Sequence, residues 1–216
     1  MYRKGEGNRD LIVAAATRLF QQRGFGAASF NDIAERSGIP KGNFFYYFRS
    51  KDDVLEAVVE ERLKDLSKSL DDWDRRFSDP VKRIGQFLCS FTDDWEHEAV
   101  YGCPHGSLCL EFAKTRRDLL PIAVKTLKRL RLWLNQQLKL AGVGGSADRL
   151  ALEILARCQG IVLMGAVLHD KAFVVRELAA TETWIESLCP KAPVAKKRNT
   201  RTQTGSSKVR ERSAAR

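Results

Sequence analysis

No stretch of this chain alternates apolar and polar residues in the period-two pattern of a strand, so no sheet is expected. No apolar run reads as approaching the roughly 20 residues that a bilayer span requires. The first ten residues, MYRKGEGNRD, lack the apolar stretch of a signal peptide. These absences predict a helical, cytoplasmic protein with no membrane association. The five cysteines (Cys89, Cys103, Cys109, Cys158 and Cys189) are odd in number and lack C-x-x-C spacing, so they read as free thiols.

Catalytic signatures are missing as well. His97, His105 and many aspartates are present, but no Ser/His/Asp order, Gly-rich phosphate loop or metal motif accompanies them. Cys103, His105 and Cys109 make a C-x-H-x3-C run without a clear fourth ligand, which is not a structural-zinc pattern. The chain therefore reads as a non-enzyme with no cofactor and no metal.

What is there is 216 residues, 44% apolar and 30% charged, enough for one or two domains with a sizeable core. The net charge of +10 is unevenly spread. Residues 1–51 hold nine Lys or Arg against four Asp or Glu, and residues 190–216 hold nine against one. The middle, 52–189, holds 19 against 22 and is slightly acidic. Basic ends around an acidic middle suggest a head for nucleic acid, a body with another task, and a basic tail.

The helical period divides the chain further. Ile12, Ala15, Ala16, Leu19 and Phe20 share one face of a first helix over 9–23, which Gly24 stops. Ser29 opens a second helix, with Asp32 placed three residues later to complete a reciprocal cap. Ser37-Gly38-Ile39-Pro40 is a tight turn, and 41–48 (KGNFFYYF) is a short aromatic third helix. Its aromatics cover more than one face, so some must point outward. Phe44 and Phe48 are assigned to the core. Ser50 to Asp53 caps a fourth helix reaching about 77. Helices are expected at 80–97, 105–114, 117–141, 146–168 and 171–188, giving an all-α fold of about nine helices. The tail from Pro190 has almost no large apolar residues and is expected to be disordered.

Three short helices, the last two joined by a glycine turn, make a helix-turn-helix. The start of its third helix is the part that reaches base edges. Lys41 can donate to guanine, Asn43 can pair with adenine, and Gly42 permits close backbone approach. Tyr46, Tyr47 and Lys51 offer groups to phosphates.

The stretch from Ala16 to Val59 resembles the DNA-binding signature of the TetR/AcrR family. Ala16, Phe20, Gly24, Phe25, Ser29, Ile33, Ala34, Gly38, Lys41, Gly42, Tyr47, Phe48, Lys51 and Leu55 carry the match, which covers about a quarter of the chain. The resemblance implies base contacts at Asn31, Lys41, Gly42 and Asn43, and phosphate contacts at Ser29, Phe45, Tyr47 and Lys51. Two positions depart from it: Asn43 replaces a usual Thr or Ser, and Phe45 replaces a usual Tyr. Phe45 can only pack, and Asn43 should alter base preference.

The resemblance further implies a dimeric repressor of palindromic double-stranded operator DNA, with domains at 6–66 (DNA-binding) and 78–189 (effector-binding and dimerisation). Residues 190–216 form the tail. The helix over 146–168 is apolar nearly all round, and with the last helix it can form a homodimer bundle. YGCPHGSLCLEFAK, 101–114, resembles the G-C-P-x-G-x-L motif of one TetR subgroup, in which a cysteine like Cys103 can sense electrophiles. Phe91, Trp95, Cys103, His105, Phe112, Trp133 and Met164 are candidates to line a pocket for a small-molecule effector. The alternative is a sequence-tolerant DNA-packaging protein, for which the basic tail is the best argument.

Overall fold

A computed structural model describes residues 4–93 and 95–189, and the expectation of a disordered tail lies outside them. Every described element is helical, and no strand occurs among the described residues. The elements are α1 (Lys4–Arg23), α2 (Phe30–Ser37), α3 (Lys41–Tyr47), α4 (Lys51–Arg76), α5 (Pro80–Asp93) and α6 (Trp95–Tyr101). They continue as α7 (Gly106–Thr115), α8 (Leu120–Ala123), α9 (Lys125–Leu140), α10 (Ala147–Leu168) and α11 (Lys171–Leu188).

Local chemistry explains most of the boundaries. Gly24, at φ 80°, and Gly38, at φ 69°, take the left-handed conformation that ends α1 and α2. Ser29 with Asp32, and Ser50 with Asp53, form reciprocal caps at the starts of α2 and α4. One expected helix is subdivided and another is described in two parts: that expected over 80–97 is given as α5 and α6, with position 94 outside the described residues. The one expected over 117–141 starts only at Leu120, because Pro121 is tolerated in a first helical turn but not further in. Its chain then turns at Val124 before α9 begins.

Two apolar cores form. The head core gathers Ile12, Leu19, Phe20, Ile33, Phe44 and Phe48 with Leu55 and Val58 of α4. The body core gathers Ile84, Phe87, Trp133, Leu134, Ile154, Cys158, Val162 and Ile185. α4 belongs to both, since its early turns pack in the head and Leu70 packs in the body. α7 and α8 extend the head core rather than the body core, through Leu108, Phe112, Leu119 and Ala123.

α10 corrects one sequence expectation. Its 22 residues include an 18-residue window of mean hydropathy 1.7, so by length and composition it could cross a bilayer. The charges that interrupt this stretch to the eye, Asp148, Arg149, Glu153 and Arg157, all lie in its first half. It packs against α9, α11 and α6, yet only 39% of that window is buried. Leu152, Leu163, Met164, Val167 and Leu168 stay exposed along it.

Candidate nucleic-acid interface and effector site

α3 presents two unlike faces. Phe44 is fully buried and Phe48 nearly so, which fixes the helix against α1 and α2. Lys41, Gly42, Asn43, Phe45 and Tyr46 face solvent, Tyr46 at 84% exposure. Nothing lies within 4 Å of where a Cβ on Gly42 would sit, so the backbone there is open to a large partner. Asn31 is exposed on the neighbouring α2. Asn31, Lys41, Gly42 and Asn43 are thus all open to solvent. A charged donor, an amide and bare backbone are what reading base edges in a groove requires.

The expected phosphate-contacting residues divide into free and engaged. Tyr46 stands free, edge-on to Tyr47 with ring centroids 5.0 Å apart. The Tyr47 hydroxyl accepts from Asn8 Nδ2 at 3.4 Å and keeps its own proton to give. The exposed Phe45 ring rests against Phe30, as expected of a side chain that can only pack. The Ser29 hydroxyl donates to Asp32 at 2.5 Å and accepts the Asp32 N–H, so it serves the cap of α2. That bonding holds the Asp32 carboxyl below its usual range.

Lys51 is engaged within the head. Its ammonium donates to the carbonyls of Phe25 at 2.8 Å and Ala28 at 3.0 Å, and lies 4.3 Å from the centre of the Phe25 ring. Half-burial lowers its pKa. These bonds tie α4 to the α1–α2 turn, whose carbonyls would otherwise lack donors. In this state the cation is a pin within the head.

The same turn is clasped from α7 and the residues just after it. Glu111 of α7 accepts the N–H of Phe25 at 2.9 Å and of Gly26 at 2.7 Å. Arg116, just after α7, bonds Asp52 at 2.8 Å and Asp118 at 2.7 Å, and those carboxylates raise its pKa. Sequence reasoning missed Glu111, because its partners lie 85 and 86 residues away.

The other end of α7 holds a polar cluster inside the protein. Arg62 of α4 is 9% exposed, and its Nη1 donates to the Pro104 carbonyl at 2.6 Å. Burial pushes its pKa down to about 10. The neighbouring imidazole of His105 is driven down to about 4, by burial and then by the Arg62 charge. Cys103 is buried and its sulfur accepts from Gln159 Nε2 at 3.4 Å. Burial raises the Cys109 thiol to about 11 and the Cys158 thiol to about 12. Both are therefore poor nucleophiles at neutral pH. Among the described residues no group of three or more His, Cys, Asp and Glu side chains is placed to hold a metal ion.

Among the described clefts, none is lined by more than one of the seven effector-pocket candidates. Phe112 sits in the head core, its ring 5.2 Å from that of Phe25. Phe91, Trp95 and Trp133 are body core, and the Trp133 indole donates to Asp74 at 3.1 Å. Met164 is exposed, and His105 lies by Arg62. Only Cys103 lines a described cleft, one of about 250 Å³ between the Gly102–Leu110 segment and α10. A second cleft, about 280 Å³, lies between α9 and α10 and includes Leu127, Arg131, Leu155 and Gln159.

The head's geometry has known counterparts. Residues 12–58 match the family model described as bacterial regulatory proteins, tetR family. An uncharacterized HTH-type transcriptional regulator from the lacX 3′ region of Lactococcus lactis is 30% identical over 112 residues, 51% of this chain and 57% of that one. The HTH-type transcriptional repressor DhaR of Mycobacterium sp. strain GP1 is 24% identical over 162 residues, covering 72% of this chain and 80% of the relative. A crystal structure of a TetR transcriptional regulator from Legionella pneumophila superposes with a TM-score of 0.72 at 25% identity, covering 83% of this chain and 96% of that one.

Proposed function

We propose that this chain, a TetR-family helix-turn-helix transcriptional regulator, works as a homodimeric repressor that leaves its palindromic operator when a small molecule occupies the body. The observation that carries the reading is the exposure of Lys41, Gly42 and Asn43 on a helix locked from behind by Phe44 and Phe48. Residues 6–66 are the DNA-binding unit and 78–189 the effector and dimerisation unit. Asn31 and Asn43 read bases with Lys41, while Tyr46 and Tyr47 contact phosphates. Lys51 reaches a phosphate only by giving up its bonds within the head.

Dimerisation accounts for α10. Leu163, Met164, Val167 and Leu168, with Val175 of α11, form an apolar strip that water disfavours. Pairing these helices with a second copy buries the strip and sets two heads about one helical turn of DNA apart, roughly 34–36 Å. A protein built this way works where the chromosome is, in the cytoplasm.

The clefts beside α10 are where a small molecule acts. α7 then transmits its effect, because its first turn borders the Cys103 cleft and Glu111 clasps the head turn. A ligand shifts head spacing only to the extent that it binds one arrangement better than the other. The segment 101–114 places Cys103 at the cleft wall, next to a cationic side chain, which supports an electrophilic effector. Fluorescence anisotropy with a duplex from the gene's own upstream region tests the reading. Saturable, sequence-dependent binding is expected, and K41A with N43A should abolish the discrimination. Equal affinity for scrambled duplexes would instead favour DNA packaging.

A further inference from the structure

Arg62 is an anomaly of the body. A guanidinium 9% exposed normally has a carboxylate beside it, yet among the described residues no Asp or Glu forms an ion pair with this one. Its Nη1 is bonded to the Pro104 carbonyl, and its Nη2 is buried without a partner. The next residue after Pro104, His105, likewise has a buried Nδ1 without a partner. Cys109 and Cys158 are held protonated at neutral pH and bring no charge to it. A buried cation that no carboxylate pairs thus has one unsatisfied nitrogen of its own and a second on His105.

We propose that Arg62 and His105 form the anion-binding end of the effector site, which takes a carboxylate carried on a short apolar tail. This rests on the reading of the body as an effector domain. A carboxylate has one oxygen for the Arg62 Nη2–H and one for an Nδ1–H tautomer of His105, so both vacancies are filled by a single group. A phosphate would bring further oxygens that no other unbonded donor here meets. Neutral imidazole suits the role, because burial and the Arg62 charge prevent its protonation. The tail has a place to go. Cys103, adjacent to Pro104, lines the cleft of about 250 Å³ with Gly102, Gly106, Leu110, Val162 and Ala166. A Cβ on Gly106 would meet the side-chain carbonyl of Gln159, which lines the same cleft.

Titration calorimetry on the full-length protein tests the site, with sodium hexanoate as probe and hexanamide as its uncharged counterpart. Hexanoate should bind at least tenfold more tightly than hexanamide. R62M should lose hexanoate binding while melting no lower than the parent, because Met fills similar space without a buried charge. Should R62M fail to fold, R62K keeps the charge but loses the fork, and at least a tenfold weakening is expected. Equal binding of hexanoate and hexanamide, no hexanoate binding, or undiminished binding in R62M or R62K would overturn the site. Operator affinity is read separately by anisotropy. Hexanoate that binds through Arg62 without weakening operator binding upholds the site and overturns the effector reading. Release by a neutral molecule alone, with no hexanoate binding, overturns the site and leaves the effector reading standing.

Discussion

The carboxylate of Glu111, on α7, accepts the backbone N–H of Gly26, in the turn that follows α1, at 2.7 Å. Its other oxygen takes the N–H of Phe25 at 2.9 Å, so one side chain satisfies two donors of the turn that follows α1. α7 also borders the Arg62 cluster, so the clasp links that cluster to the helix-turn-helix alongside α4, which carries Arg62 itself.

Removing the clasp should therefore be felt in both units. Glu111→Ala deletes two charge-assisted bonds and strands two backbone donors, for an expected loss of about 1–3 kcal/mol. Chemical denaturation measures that loss, and operator affinity should fall with it. Unchanged stability and affinity would mean the clasp is incidental.

Lys51 and Lys41 should separate in salt dependence. Lys41→Ala removes a cation facing DNA, so the slope of log affinity against log salt should drop by about one. Lys51→Met should leave that slope nearly intact and lower stability instead, because its ammonium is bound to Phe25 and Ala28. A Lys51 variant of parental stability with a reduced slope would restore the lysine to the phosphate backbone.

Acid should destabilise the protein through His105. Its folded-state pKa, about 4, lies below the ordinary 6.5, so in that window the unfolded chain binds the extra proton. Stability is then full above about 6.5 and falls as pH drops towards 4, by on the order of 3 kcal/mol. His105→Gln should flatten this fall. Asp32 and Asp53 have lowered pKa values and ordinary values of 3.8, so their contributions disappear only at lower pH. Denaturation midpoints at pH 7, 6, 5 and 4.5 check this, and identical slopes in parent and variant would refute it.

The α10 strip should control assembly. Val167, 66% exposed, becomes buried on pairing, so Val167→Glu places a carboxylate in an apolar contact. Sedimentation velocity should find monomers, with folded helix content by circular dichroism. Persistent dimers would place the interface elsewhere.

Features that are local in the chain were legible in the sequence. Both caps, Ser29 with Asp32 and Ser50 with Asp53, span three residues and stand where expected. The inward Phe44 and Phe48 followed from helical period, and Lys41 and Asn43 were singled out by their place at the start of the third helix, where they are exposed. Long-range chemistry was not legible. Lys51 bonds carbonyls 23 to 26 residues away, Arg62 one 42 residues away, and Glu111 a turn some 85 residues away. Nothing in the sequence around Phe112 shows that α7 packs on the head core. α10 read as apolar nearly all round, while its exposed residues Leu163, Met164, Val167 and Leu168 emerge only in the fold.

The central claim concerns the exposed start of α3, and selection of bound duplexes from a random library tests it most directly. Parent protein should enrich two inverted half-sites centred about one helical turn apart, and Asn43→Ala should relax preference at one symmetric pair of positions, by about 1–3 kcal/mol. No enrichment, or a motif that Asn43→Ala and Lys41→Ala both leave untouched, would contradict it.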